Sequence, residues 1–490
     1  MGPLTTLLLL PLAGALLVSL APRGNPRLPR LIALGACTAA LLGGWGLLAF
    51  YDPGEAGVQL LETHRWNPRL GTSFALGVDG FSFPMVLLAT LLSLVAAMAS
   101  RTVAAGAKGY YALLLVLEAA MLGVFMAQDW ALFYVFWELT LIPLFFLIDR
   151  WGGERRQTAA LNFVLYTMGG SVFMLIALLA AFDAVPGHSF GMTQMADGAR
   201  ALPVETQVIL FLGLLIGFGV KMPVVPLHGW LPLAHVEAPS PVSILLSGAL
   251  LKMGAYGLLR AAGMLPAAVE ALQGVLATLA FLSLLYGGLL AWRQSDLKAM
   301  VAYSSVSHMG VVLVGIATLN QTGLNGAVMQ MVAHGLVAGA LFFLIGSLYE
   351  RTHTREISHY SSLVRVTPRF AFFVTLAFVA AVGLPGTAGF VAELQALIGG
   401  YQRWGWPVIL VSLGMLLSAA YAVRTVGRLF TGPVREEMRK VRDLAAPEVA
   451  AAAVLSAAVV GLGLFPATAL DLFGHSVARL SAQLAALSPG

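Results

Sequence analysis

The 490-residue chain is short of sulfur and of charge: it has one cysteine, Cys37, and only 10% Asp, Glu, Lys and Arg. A single cysteine excludes a disulfide framework within the chain and any Cys-ligated zinc or iron–sulfur centre. Cys37 lies inside an apolar run, where it reads as a small packing residue. Soluble domains carry about 25% charged residues, so a chain with 10% is not a string of soluble domains. The formal charge of +5 comes without a basic run or a basic–aromatic stripe, and the arginines stand singly between apolar segments. That pattern excludes a nucleic-acid interface. No G-x-G-x-x-G phosphate loop is present, and stretches such as GGLL and GALL read as close-packing sites in helices. His228 and His235, near Glu237, match no zinc spacing, so no metal site is expected.

What the chain has is apolar length. Hydrophobic residues make up 59% of it, and apolar runs recur from end to end. Runs of about 18 residues or more are long enough to cross a bilayer as helices. They predict an all-α polytopic membrane protein of fourteen transmembrane helices, over 3–21, 31–51, 79–99, 109–128, 130–149, 158–183, 206–232, 239–261, 267–291, 297–319, 322–349, 368–400, 405–427 and 447–472. The first run has no basic residue before it, unlike a cleavable signal, and reads as a retained helix. Trp130, Trp137, Trp230 and Trp292 fall near span ends, where interfacial aromatics belong. Asp79-Gly80 reads as a helix cap.

Orientation follows from Lys and Arg in short loops. Loops after odd-numbered spans are the basic ones, with Arg101, Lys108, Arg150, Arg155, Arg156, Arg293, Arg351 and Arg355 among them. The other side carries only Arg65, Arg69, Arg200, Arg260, Arg403 and Arg479. The basic loops are therefore expected in the cytoplasm and both termini outside.

Seven titratable residues lie inside the spans: Glu118, Glu138, Lys221, Lys252, His308, His334 and Glu393. A charge at the bilayer centre costs at least ~2.5–3.5 kcal/mol, so such residues are functional by default. Spans four to eight and nine to thirteen form two matching blocks. The second span of each carries a titratable group (Glu138, then His308), and so does the fourth (Lys221, then Glu393). Both fourth spans are also broken, by Pro223 and Pro226 in one and by Pro385 and Gly386 in the other. A five-helix block has an odd number of spans, so its copy inserts upside down, and paired broken spans point to the functional site. The expected organisation is 1–107, helices one to three; 108–262, the first repeat; 263–430, the second; and 431–490, helix fourteen.

Proline frees backbone carbonyls, which are tolerated at membrane depth only inside protein or beside a water-filled cavity. Lys221 is therefore expected beside water and unpaired carbonyls, with Glu138 as its switching partner. Gly248 and Gly254 flank Lys252 and let neighbouring helices approach it. Ser304, Ser305 and Ser307 are placed to orient the His308 imidazole.

At these residues the chain resembles the antiporter-like membrane subunits of respiratory complex I, a family shared with Mrp-type sodium/proton antiporters. The resembling segments are DWALFYVFWELTLIPLFFL, VKMPVVPLHGWLPLAH, EAPSPVSILLSGALLKMGAYGLLR, LKAMVAYSSVSHMG, QMVAHGLVAGALFFL and GLPGTAGFVAEL, in the family's order. They place it in the branch with glutamate in the twelfth span, where sister subunits L and N carry lysine. About 18 residues follow the fourteenth span, too few for the long lateral helix of subunit L. One departure is Leu233, where relatives have aspartate.

The resemblance implies a non-redox subunit of a proton-transporting quinone oxidoreductase that moves one proton across the membrane, driven by quinone reduction elsewhere. It implies an ion pair of Glu138 and Lys221, a central relay of Lys252 and His308, an accessory His334, and a terminal Glu393 on the exit side. Glu118 corresponds to a second family glutamate that partly substitutes for Glu138. No cofactor is implied in this chain; flavin mononucleotide, iron–sulfur clusters and quinone belong to partner subunits. The partners implied are L-, N- and K-type membrane subunits, lipids and protons. The Ala, Gly, Leu and Arg bias favours a bacterial inner membrane, with the thylakoid as the alternative. The other readings are an Mrp-type antiporter subunit and a paralogue in a membrane-bound hydrogenase or CO₂-uptake complex.

Overall fold

The structure is a computed structural model that describes residues 2–22, 25 and 27–486. Among the described residues, twelve helices are long and apolar enough to cross a membrane, and two shorter apolar ones, Phe83–Ala99 and Pro368–Ala381, accompany them. The centre belongs to three of these. The apolar stretches of Ser240–Met264 and Gln321–Thr352 are 100% buried and that of Leu297–Ala317 is 94% buried, against 28% for Arg27–Ala49 and Ala446–Leu464. The titratable residues of the eighth, tenth and eleventh expected spans therefore sit in the middle of the protein.

Lipid tails are as apolar as leucine, so helices in a membrane associate through close packing at small residues. Gly310 shows the consequence. A Cβ there would lie 2.7 Å from Leu284 N and 2.8 Å from Ala280 O, so the backbones of Gln273–Arg293 and Leu297–Ala317 touch at that point. Gly399 and Gly323 bring Ala388–Trp404 against Gln321–Thr352 in the same way. Gly310→Leu is expected to lower stability by about 1–3 kcal/mol or more, since overpacking against backbone has no side chain to displace. Thermal unfolding in detergent reads this out, and an unchanged melt would contradict the packing.

Among the described residues, three helix starts carry N-cap side-chain hydrogen bonds. Asp129 accepts from Ala131 N and Leu132 N, Asp296 from Lys298 N and Ala299 N, and Asn320 from Gly323 N. Each satisfies amide donors that the first turn leaves unpaired. Asp79 also caps, its Oδ1 accepting from Phe81 N and Ser82 N at 3.1 Å. Its Oδ2 does something the sequence does not advertise: it forms a buried ion pair with Arg260 at 2.5 Å.

Three expectations are corrected. The protein is not purely helical: Gln59–Asn67 and Thr72–Val78 form an antiparallel hairpin, closed around Gly71 with φ +62°. The last expected span ends at Leu464, and Ala467–Ala485 is a separate helix. Pro466, with no amide hydrogen, cannot continue the first helix. The second buries Ala469, Phe473, Ser476, Val477, Leu480 and Leu484, one stripe at helical spacing. Finally, Trp130, Trp137 and Trp230 are each 1% exposed, so they are core residues; only Trp292, at 39%, is exposed as an interfacial ring would be.

Candidate functional site

Proline interruptions position most of the buried charges. Pro143 offers no amide to the Leu139 carbonyl, and the fifth expected span breaks there into Trp130–Leu139 and Leu141–Trp151. Thr140 sits in the break, and its Oγ1 accepts from Lys221 Nζ at 3.0 Å. Lys221 ends the helix Val204–Lys221, just before Pro223. It is 1% exposed, and its Nζ lies 5.1 Å from the Trp137 ring centroid and 5.8 Å from that of Phe163. The freed carbonyls there are not left to water as expected. Val224 N donates to Gly219 O at 2.9 Å, and Trp230 Nε1 donates to Val220 O at 2.8 Å. Aromatic faces and a hydroxyl hold the ammonium instead.

The expected Glu138–Lys221 ion pair is open. Among the described residues Lys221 pairs with Thr140 and with no carboxylate. Glu138 Oε1 is buried without a hydrogen-bond partner, and the residue lines a cleft of about 620 Å³ at the flank with Val135 and Ile142, which are 46% and 57% exposed. Glu118 stands apart as well. It is fully buried, and its Oε2 accepts from Cys37 Sγ at 3.2 Å, so Cys37 is a hydrogen-bond donor and not only packing.

The central cluster is compact. The eighth expected span changes pitch at Leu246–Leu250, a π-type turn of the kind that often marks functional sites. Immediately after it, Lys252 Nζ donates to Ser247 O at 2.6 Å and meets His334 Nδ1 at 2.7 Å. Gly254 brings the helix onto Phe218 O and Met222 N, where a Cβ would be 2.5 and 2.7 Å away, so the helices of Lys252 and Lys221 touch beside both lysines. The rings of His308 and His334 are 5.4 Å apart.

The second break completes the cluster. Pro385 frees Ala381 O, and His308 Nε2 donates to that carbonyl at 3.0 Å. Gly383, with φ +72°, adopts the left-handed conformation and leaves room for the Glu393 carboxylate, whose Oε2 would lie 2.4 Å from a Cβ there. His308, Gln330, His334 and Glu393 line one small cavity.

The serines do not orient His308. Ser304 and Ser305 donate to Val301 O, Ser307 donates to Leu284 O, and Ser305 also meets Ser247 Oγ at 3.0 Å. The sequence alone does not single out Thr140, Ser247 or Gln330, and His235 is weighed there only as a metal ligand. Pro143 signals Thr140, and the four-residue spacing to His334 signals Gln330. His235 is fully buried, stacked 4.6 Å from Phe342, with both ring nitrogens unpaired.

Buried lysines, imidazoles and carboxylates arranged around broken membrane helices define an antiporter-like membrane protein. The profile of the NADH:quinone oxidoreductase/Mrp antiporter transmembrane family matches residues 127–418. NADH-quinone oxidoreductase subunit M of Rhodobacter capsulatus is 41% identical, over 97% of this chain and 96% of its own. NAD(P)H-quinone oxidoreductase chain 4 of a Picosynechococcus species is 39% identical, over 99% and 93%. A chain of the respiratory complex I of Thermus thermophilus, solved with bound NADH, superposes with a TM-score of 0.91 at 32% identity, covering 98% of this chain and 99% of that one. This chain belongs to the NADH:quinone oxidoreductase/Mrp antiporter membrane family, as an antiporter-like subunit of the complex I type.

Proposed function

We propose that the chain conducts protons in the membrane arm of a complex I-type NAD(P)H- or ferredoxin-quinone oxidoreductase, coupled to quinone reduction in other subunits. The observation that carries this reading is the buried contact of Lys252 with His334 at 2.7 Å, beside His308 and Glu393. A proton-exchanging lysine in hydrogen-bond range of one imidazole, with a second imidazole ring 5.4 Å from the first, supplies the parts of a relay. Lys221 is the loading group, Lys252 and the imidazoles the centre, and Glu393 the terminal group. Glu138, on the flank, faces an L- or N-type neighbour, and Glu118 is a second acidic group behind it; a K-type subunit is a further partner. The flavin, iron–sulfur clusters and quinone reside in partner subunits.

Several features support the inverted repeat and the fourteen-crossing topology. Each block's second helix starts at an aspartate cap, Asp129 or Asp296. Each aspartate also makes a short antiparallel bridge to the segment after the block's third helix, at Gly191 or Glu356. Phe83–Ala99 and the broken pair Pro368–Ala381 and Ala388–Trp404 supply the two further crossings. The repeats then fall at 108–262 and 263–430, and the basic loops put both termini in the periplasm of a bacterial inner membrane.

Gentle purification of the tagged chain followed by mass spectrometry tests the host complex. Hydrophilic flavin- and iron–sulfur-binding subunits are expected to co-purify. Recovery of Mrp-type membrane partners alone would contradict the proposal and favour a sodium/proton antiporter.

A further inference from the structure

The central relay stops short of its terminal group. Lys252 reaches His334 Nδ1 at 2.7 Å, but among the described residues no protein hydrogen bond joins either imidazole to Glu393. Between them lies a cavity of about 10 Å³, the size that holds one water. Two polar atoms at this cavity's lining residues are buried without a protein partner, His334 Nε2 and Gln330 Oε1. The two residues are 4% and 3% exposed and stand four apart on the helix Gln321–Thr352, hence on one face. Apart from His308 and Glu393, the rest of the wall is apolar: Ala333, Val337, Ala380, Ala381 and Gly389.

Buried polar groups are almost always satisfied, by protein or by ordered water. A water needs two to four polar partners, and this cavity supplies them. We propose that the cavity binds a single water fixed by Gln330, and that this water carries the proton between His334 and Glu393. The inference rests on the proton-conducting reading above.

The chemistry balances. With Lys252 as the ammonium donating to His334 Nδ1, the neutral ring carries its hydrogen on Nε2. The water accepts from Nε2–H and donates one hydrogen to the Glu393 carboxylate and the other to Gln330 Oε1. In transfer, a Lys252 proton moves to Nδ1, the Nε2 proton moves to the water oxygen, and a water proton moves to Glu393. The products are a neutral lysine, a ring protonated on Nδ1, a water and a carboxylic acid. Gln330 is a positioning residue: its amide stays neutral, so it orients the water without trapping the proton.

Gln330→Leu in the intact complex removes both amide atoms at similar volume. Proton translocation per quinone reduced is expected to fall about tenfold, one bridging hydrogen bond's worth of rate. Infrared difference spectra on turnover should lose a water O–H band that shifts in heavy-oxygen water. Where Gln330→Leu fails to assemble, Gln330→Met decides by the same two readouts. Glu393→Gln separates the two levels of inference. If Glu393→Gln blocks translocation while the assembled Gln330 variant keeps both translocation and the water band, the water site is overturned and the relay stands. If Glu393→Gln also translocates normally, the relay itself is overturned.

Discussion

A complex carrying Lys221→Ala is expected to lose proton translocation by about 100-fold or more, the scale of losing one positioned proton-transfer group, while quinone reduction partly survives. Lys221 is the titratable group at the first break, held by Thr140 at 3.0 Å and by the Trp137 face at 5.1 Å. Glu138 lines the lateral cleft, and a carboxylate cannot supply the missing amine. Alanine removes a buried charge that has no ion-pair partner among the described residues, so the fold should not suffer for it. Lys221→Arg sharpens the test. Arginine keeps the charge and does not deprotonate in proteins, so it should be as defective as alanine if proton exchange is the role. Vesicle acidification measured beside the quinone reductase rate separates the outcomes; pumping by the arginine variant would reduce Lys221 to a fixed charge.

The largest stability effect is expected at the Asp79–Arg260 pair. Asp79→Ala strands Arg260, which is then left with Tyr256 Oη at 3.0 Å and the Phe81 and Tyr256 faces at 5.9 and 4.9 Å. Breaking a buried pair from one side costs about 3–5 kcal/mol, because an uncompensated charge remains. Asp79→Ala combined with Arg260→Met should recover most of that loss. A double-mutant cycle on unfolding midpoints gives the coupling directly. Additive losses in the double variant would show that the two side chains act independently.

The buried titratable positions were readable in the sequence for a specific reason. Lysine and glutamate are rare in hydrocarbon, and proline breaks what it enters, so Lys221, Lys252, Glu393 and the two broken helices stand out one by one. Their partners did not, because partnership depends on how helices rotate against each other. Nothing local says that Lys252 meets His334 more closely than His308, or that Lys221 takes Thr140 in place of Glu138. The π-type turn before Lys252 is likewise a tertiary choice, made where Gly248 lets Leu92 and Gly335 press on the helix. Pro143 was a visible signal for the Thr140 break, but it is hidden in an apolar run long enough to read as one span. Trp130, Trp137 and Trp230 look like interfacial rings by position alone; the broken helices fold them into the core around Phe133, Phe163 and Phe218. The hairpin at 59–78 lacks strict alternation of apolar residues, with a burial pattern that is mostly exposed on its first strand. The Asp79–Arg260 pair joins residues 181 apart, a distance at which sequence spacing carries no information.

Protons translocated per quinone reduced, measured in proteoliposomes of the whole complex with Lys252→Met, bear most directly on the buried axis. Methionine is close to lysine in shape but carries no exchangeable proton, and it leaves His334 Nδ1 without its 2.7 Å donor. Conduction through Lys252 and His334 requires the ratio to drop while quinone reduction continues. A wild-type ratio in the assembled variant would mean that protons cross by another route.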